Sequence, residues 1–285
     1  MNEQCIRRRL IAMTVAITVA TTAVAPSIVT ASPAGGSRAP GPNRISADIV
    51  APASALQGDR FHAWEDSDPT KDVMTVAAPV RTAGAFRPIV AVIDTGIDTK
   101  HPMFQDRLLA GQDLIDGDTT PDEVQMGVDT SGNGINDQAF GHGTHIAGIV
   151  AQMAPNAWIL PYRVLDSDGV GDATTAAAAM DAAVAAGASI VNLSFGTDES
   201  TQVAPLDAAI ARAVAAGVTV VAAAGNRPNA KLRYPAALPG VIAVTASDGA
   251  GTLAPFAAYG TKWVDFAAPG ISVLSAVPGG KQGRW

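Results

Sequence analysis

Two stretches of this chain share one layout. AVAAGASIVNLSFG (183–196) and AVAAGVTVVAAAGN (213–226) each run from the end of an alanine-rich helix, through a glycine stop, into an apolar strand that closes on a glycine turn. A strand that is reached from the last one through a helix runs parallel to it, because a tight hairpin cannot make that connection. The repeat therefore commits the chain to a parallel sheet with helices packed on it. Gly187 and Gly217 fit the left-handed position just past a helix C-terminus.

The same alternation extends over the rest of the chain from residue 88. PIVAVID (88–94), AWILPYRVL (157–165), ASIVNLS (188–194), VTVVAAA (218–224) and VIAVTAS (241–247) are short, β-branched and without polar alternation. Strands buried on both faces read this way. Helices are expected at 142–153, 172–186 and 203–216. The fold class is α/β, a three-layer, doubly wound and mostly parallel sheet. Such sheets bind ligands at the carboxyl ends of their strands. The residues to inspect are thus Asp94, the run Ser194-Phe195-Gly196, and Gly225-Asn226.

Composition narrows the function. Net charge is −7 and no basic block is present, which argues against a nucleic-acid partner. The one cysteine, Cys5, excludes an internal disulfide framework. Arg7, Arg8 and Arg9 precede an apolar stretch over 10–25, followed by small residues at 23–25 and 29–31. Residues 1–31 therefore read as a secretory signal peptide, with an uncleaved anchor as the alternative, and imply a secreted or extracellular protein with no stable membrane span after cleavage. Residues 32–85, rich in Pro, Ala, Gly and Ser, read as a linker, pro-segment or N-terminal extension. The folded domain is expected over 86–285, as a monomer.

Asp94 ends the first core strand in VAVIDTGID, and Gly96 permits a sharp turn after it. Taken alone, that Asp could instead open a kinase-like phosphate site or cap a turn. GHGTHIAGIVA (141–151) puts His142 between two glycines at a helix start, where the imidazole can face a cleft. His142 and His145 are spaced i, i+3 without a neighbouring Glu, which does not match the zinc-protease pair. His145 reads as a structural histidine. Asn226, at a strand mouth, can donate to an oxyanion or simply shape a turn.

In that order, VAVIDTGID, GHGTHIAG and AAAGN resemble the subtilisin-like serine proteases, over roughly residues 85–285. VNLSFG, YPAALPGVIAVTA and VDFAAPG extend the likeness. The order Asp, His, Ser along the chain is the known one for subtilisin. The resemblance implies that Asp94 orients His142, that His142 is general base and then general acid, and that Asn226 donates to the oxyanion. It implies further that 194–196 and DSDGVGD (166–172) flank an extended peptide or protein substrate bound by strand addition, Phe195 walling the pocket for the residue before the cut and Gly169 and Gly171 leaving room for the backbone.

The family's Gly-Thr-Ser-Met-Ala motif, whose Ser is the nucleophile, does not occur. The four Gly-Thr pairs are followed by His145, Asp198, Leu253 and Lys262. The expectation is a C-terminally truncated, inactive chain, with a non-catalytic peptide-binding pseudoprotease as the alternative. Ser272 and Ser275 precede the place where the motif belongs. No cofactor is required. DTSGNGINDQ (129–138) partly follows a calcium loop through Asp129, Ser131, Asn133 and Asp137, but Phe140 stands where a bidentate Glu belongs. A solvated surface loop is the competing reading.

Overall fold

The computed structural model describes residues 44–47 and 87–285, except 230, 249 and 250. The signal segment and nearly all of the extension over 32–85 lie outside the described residues. The strands are β1 (Arg44–Ala47), β2 (Ile89–Asp94), β3 (Gln112–Asp113), β4 (Trp158–Arg163), β5 (Val170–Asp172), β6 (Ile190–Leu193), β7 (Phe195–Gly196), β8 (Thr219–Ala223), β9 (Val241–Ser247), β10 (Phe266–Pro269), β11 (Leu274–Val277) and β12 (Lys281–Arg284). The helices are α1 (His142–Met153), α2 (Ala173–Ala185) and α3 (Ala204–Ala215).

Seven strands form one sheet in the order β10-β9-β8-β6-β2-β4-β3, every neighbouring pair parallel. Both faces are covered, which is why the strands carry unbroken apolar runs. On one face, Ile93, Leu160, Val191 and Val220 pack with Leu206 and Ile210 of α3 and Met180 of α2. On the other, Val92, Ile159 and Val221 pack with Ile146 and Val150 of α1 and Ala276 of β11. The architecture is the α/β layering that the sequence predicts. Gly187 and Gly217 take φ of +81° and +82° past the ends of α2 and α3. Asp172 caps α2, its carboxylate accepting from Thr174 N–H at 2.7 Å.

Because β2, β6 and β8 are parallel neighbours, their carboxyl ends share one edge of the sheet. That edge carries Asp94, Ser194 and, three residues past β8, Asn226. Two features escape the sequence reading. The antiparallel hairpin β11–β12 folds over α1, where Ser275 Oγ donates to His145 O at 2.7 Å. β1 comes from the stretch read as a linker, yet it pairs antiparallel with β5 on one side and β7 on the other.

Candidate active site

Glycine brings α1 against the end of β2. A Cβ on Gly143 would sit 2.0 Å from Gly96 O, and one on Gly96 would sit 2.8 Å from Pro121 O. Only glycines allow these backbones to touch. Gly141 and Gly96 also take φ of +96° and +98°, values that a side chain resists. The close approach puts His142 Nδ1 2.6 Å from Asp94 Oδ1, both side chains buried. Asp94 Oδ1 also accepts from Thr95 N–H at 2.8 Å. An Nδ1–H bond to a carboxylate fixes the imidazole tautomer and leaves Nε2 free of the proton. That arrangement suits a proton acceptor.

The rings of Trp285 and His142 meet edge-on, with centroids 5.6 Å apart at 79°. Trp285 also lies 5.7 Å from His145. His145 is wholly buried, its Nε2–H donating to Val273 O at 2.9 Å, and burial drives its pKa down to about 3. It is a neutral structural histidine, as the sequence suggests. Ser275 is buried with its hydroxyl committed to His145 O.

A groove lies between β5 and β7, and β1 fills it. Ile45 faces Gly171, Ser46 faces both Val170 and Gly196, and Ala47 faces Phe195. The rim segments expected to hold an extended peptide thus hold an extended strand. Two packing details bear on the expectation. The Phe195 side chain is buried in the core cluster with residues of α2 and α3, and its backbone pairs with β1. A Cβ on Gly171 would meet Val164 O at 2.3 Å, so packing beneath the rim requires a glycine there. Gly196 is held in the same way by Tyr234 O, at 2.8 Å. Gly169 takes φ of +79° in the turn leading into β5. Ser194 is buried and accepts from Asn192 Nδ2 at 3.0 Å. Gly225 takes φ of +98° and directs the chain to Asn226, which is half-buried.

The loop at 129–138 is held by backbone N–H groups within and beside it and by the 166–172 segment. Asp129 accepts from the N–H groups of Gly132, Asn133 and Gly134, and Asp137 accepts from Gly127 N–H and Ser167 Oγ. Among the described residues, no group of three or more His, Cys, Asp or Glu converges as a metal site. Likewise, no described helix is long and apolar enough to cross a membrane.

The Subtilase family (peptidase S8) profile matches residues 87–283, well over half of the chain. The chain belongs to the subtilase family. Two curated proteins illustrate the similarity. Thermophilic serine proteinase of Bacillus sp. (strain AK1) is 38% identical over 210 residues, covering 70% of this chain and 48% of that protein. Thermitase of Thermoactinomyces vulgaris is 36% identical over 199 residues, covering 66% of this chain and 65% of that protein. The chain therefore spans between about half and two thirds of these subtilases' lengths. The crystal structure of a cold adapted subtilisin-like serine proteinase superposes with a TM-score of 0.59 at 30% identity, over 70% of this chain and 68% of that one.

Proposed function

We propose that this subtilase is built for serine-type endopeptidase chemistry, with a peptide or protein substrate lying extended between β5 and β7. The observation that carries the reading is the buried Asp94–His142 contact at the sheet edge. Asp94 would hold His142 with its proton on Nδ1 and stabilise the imidazolium. His142 Nε2 would take the proton of an attacking serine and return it to the leaving amine. The Asn226 amide would donate to the tetrahedral oxyanion. The pairing of β1 supports the binding mode, since the groove accepts a strand on both sides.

These 285 residues contain no Gly-Thr-Ser run. We accordingly propose that the polypeptide as given forms no acyl-enzyme. In subtilisin itself, losing the serine costs about 2 × 10⁶ in kcat. The occupied groove also favours a second reading, a non-catalytic subtilase that grips peptides. A signal peptide over 1–31 and secretion complete the proposal.

A fluorophosphonate serine probe tests it. The 285-residue polypeptide should not label. Fused to a C-terminal segment bearing the family's Gly-Thr-Ser-Met-Ala motif, it should label, and His142→Ala should abolish that labelling. A folded fusion that fails to label would favour the non-catalytic reading. Labelling of the unfused chain would overturn the claim that it cannot be acylated.

A further inference from the structure

The proposed chemistry leaves one ionisable group beside the dyad without a task. Glu123 lies on the loop between β3 and α1, in the run PDEVQ. The residue as a whole is half-buried, but its carboxylate is ringed by protein donors. Thr95 Oγ1–H donates to Oε1, as do Gly141 N–H at 2.9 Å and Gly143 N–H at 3.3 Å. Thr144 donates to Oε2 through its hydroxyl and through its N–H, the latter at 3.3 Å.

These donors come from two places that must be kept in register. Thr95 directly follows Asp94, and Thr144 stands two residues after His142. Neither hydroxyl proton has a competing role. Thr95 Oγ1 accepts from Gly143 N–H at 2.9 Å, and Thr144 Oγ1 accepts from Asp98 N–H at 2.8 Å, so both protons turn toward Glu123. The Glu123 backbone is tied to the same turn, its N–H donating to Ile97 O at 3.1 Å. A carboxylate at the start of α1 also complements the positive end of that helix. The group sits close enough to the dyad to sense it: burial pushes its pKa up to about 7, Asp94 adds to that rise, and His142 opposes it.

We propose that Glu123 is a positioning residue for the dyad. Its carboxylate clamps the turn after Asp94 to the first turn of α1 and thereby keeps Asp94 Oδ1 and His142 Nδ1 in contact. The proposal rests on the reading of Asp94 and His142 as the acid–base pair. A capping role alone would secure α1 as a whole, whereas the clamp acts on His142 in particular. His145, one turn along the same helix and anchored to Val273 O, is an internal reference for that difference.

The test is imidazole NMR on the full 285-residue chain labelled with ¹⁵N-histidine, whose four histidines can be assigned one by one. In the unsubstituted chain, His142 should show an Nδ1 proton protected from solvent. Glu123→Gln keeps the shape, but turns an amide N–H toward groups that themselves donate. It should speed exchange of that proton at least tenfold, or lose its signal, and leave His145 unmoved. Thr144→Val should have the same effect, and Thr144→Ser, which keeps the hydroxyl, should not. If Glu123→Gln does not fold, the Thr144 pair decides. An unchanged His142 signal in the folded variants overturns the proposal, and so does parallel loss at His142 and His145. Absence of a protected His142 proton in the unsubstituted chain also overturns it, and marks the dyad reading as the part that failed.

Discussion

Ser46 of β1 faces Gly196 of β7 in antiparallel register, so a segment from the N-terminal side of the chain occupies the groove in which a peptide substrate would lie. Free peptide must then compete with β1. Ser46→Pro removes a strand N–H and disfavours that pairing. A labelled peptide of sequence RISADIV should bind the variant up to roughly tenfold more tightly, the equivalent of about one hydrogen bond lost by the competitor. Fluorescence anisotropy measures this. Equal affinity for both proteins would show that β1 does not block the groove.

Close packing around the dyad gives a second prediction. Gly143→Ala forces a methyl group into Gly96 O and should cost about 1–3 kcal/mol or more, as overpacking does. Gly132→Ala meets a positive φ, +77°, but open space, so it should cost only about 1 kcal/mol. Urea denaturation of the two variants compares them. A Gly143→Ala cost no larger than that of Gly132→Ala would mean that α1 can shift away from β2 freely.

Arg163 supplies a third. It ends β4 fully buried, with Nη1 2.6 Å from Asp113 Oδ2 and 2.5 Å from Asp116 Oδ2. Asp116 is half exposed, so Asp113 is the partner that shares the buried environment. Asp113→Ala should cost about 3–5 kcal/mol by leaving a buried cation short of its partner, while replacing both partners together, Asp113→Leu with Arg163→Met, should cost less. Denaturation midpoints decide the order, and the reverse order would contradict it.

How much of this was readable in advance depended on the range of the interaction. The apolar runs ending at Asp94, Ser194 and Ala224 fall within a residue or two of the strands β2, β6 and β8, because burial on both faces leaves a local mark in sequence. The expected helix 142–153 coincides with α1, since Gly141 and the following apolar spacing are local as well. β1 carried no such mark. RISA sits among Pro, Ala and Gly, and its structure is dictated by rims more than a hundred residues away. Glu123 was equally silent, because its donors are 18 to 28 residues distant and PDEVQ looks like a solvated loop. Arg163 could have been flagged, as a lone charge closing an apolar run calls for a partner. For Phe195, its place on the strand beside β1 was legible, but its burial in the core cluster was not.

Two buried groups set a pH signature. The unfolded chain protonates His145 below about pH 6.5, whereas the folded chain does not until about 3, so stability falls as pH drops through that window. Glu123 acts in the opposite sense. Its folded-state pKa of about 7, against an ordinary 4.5, favours the folded state at lower pH, a contribution lost as pH rises from 4.5 through 7. The two should nearly offset between pH 4.5 and 6.5. Below 4.5 the Glu123 contribution no longer changes, the His145 loss continues at up to about 1.4 kcal/mol per pH unit, and Asp129, Asp137 and Asp198, whose carboxyls the fold holds below the ordinary range, add to the loss as they protonate. In His145→Gln, stability should rise as pH falls from 6.5 to 4.5. A flat profile in that variant would contradict the Glu123 assignment.

The central claim is that Asp94 holds the His142 proton on Nδ1, so that Nε2 is the proton acceptor. The most direct test is the ¹⁵N chemical shifts of the neutral His142 imidazole, with and without Asp94→Asn. The account predicts the Nδ1–H tautomer in the unsubstituted chain and its loss in the variant. An Nε2–H tautomer in the unsubstituted chain, or a tautomer indifferent to Asp94→Asn, would contradict it.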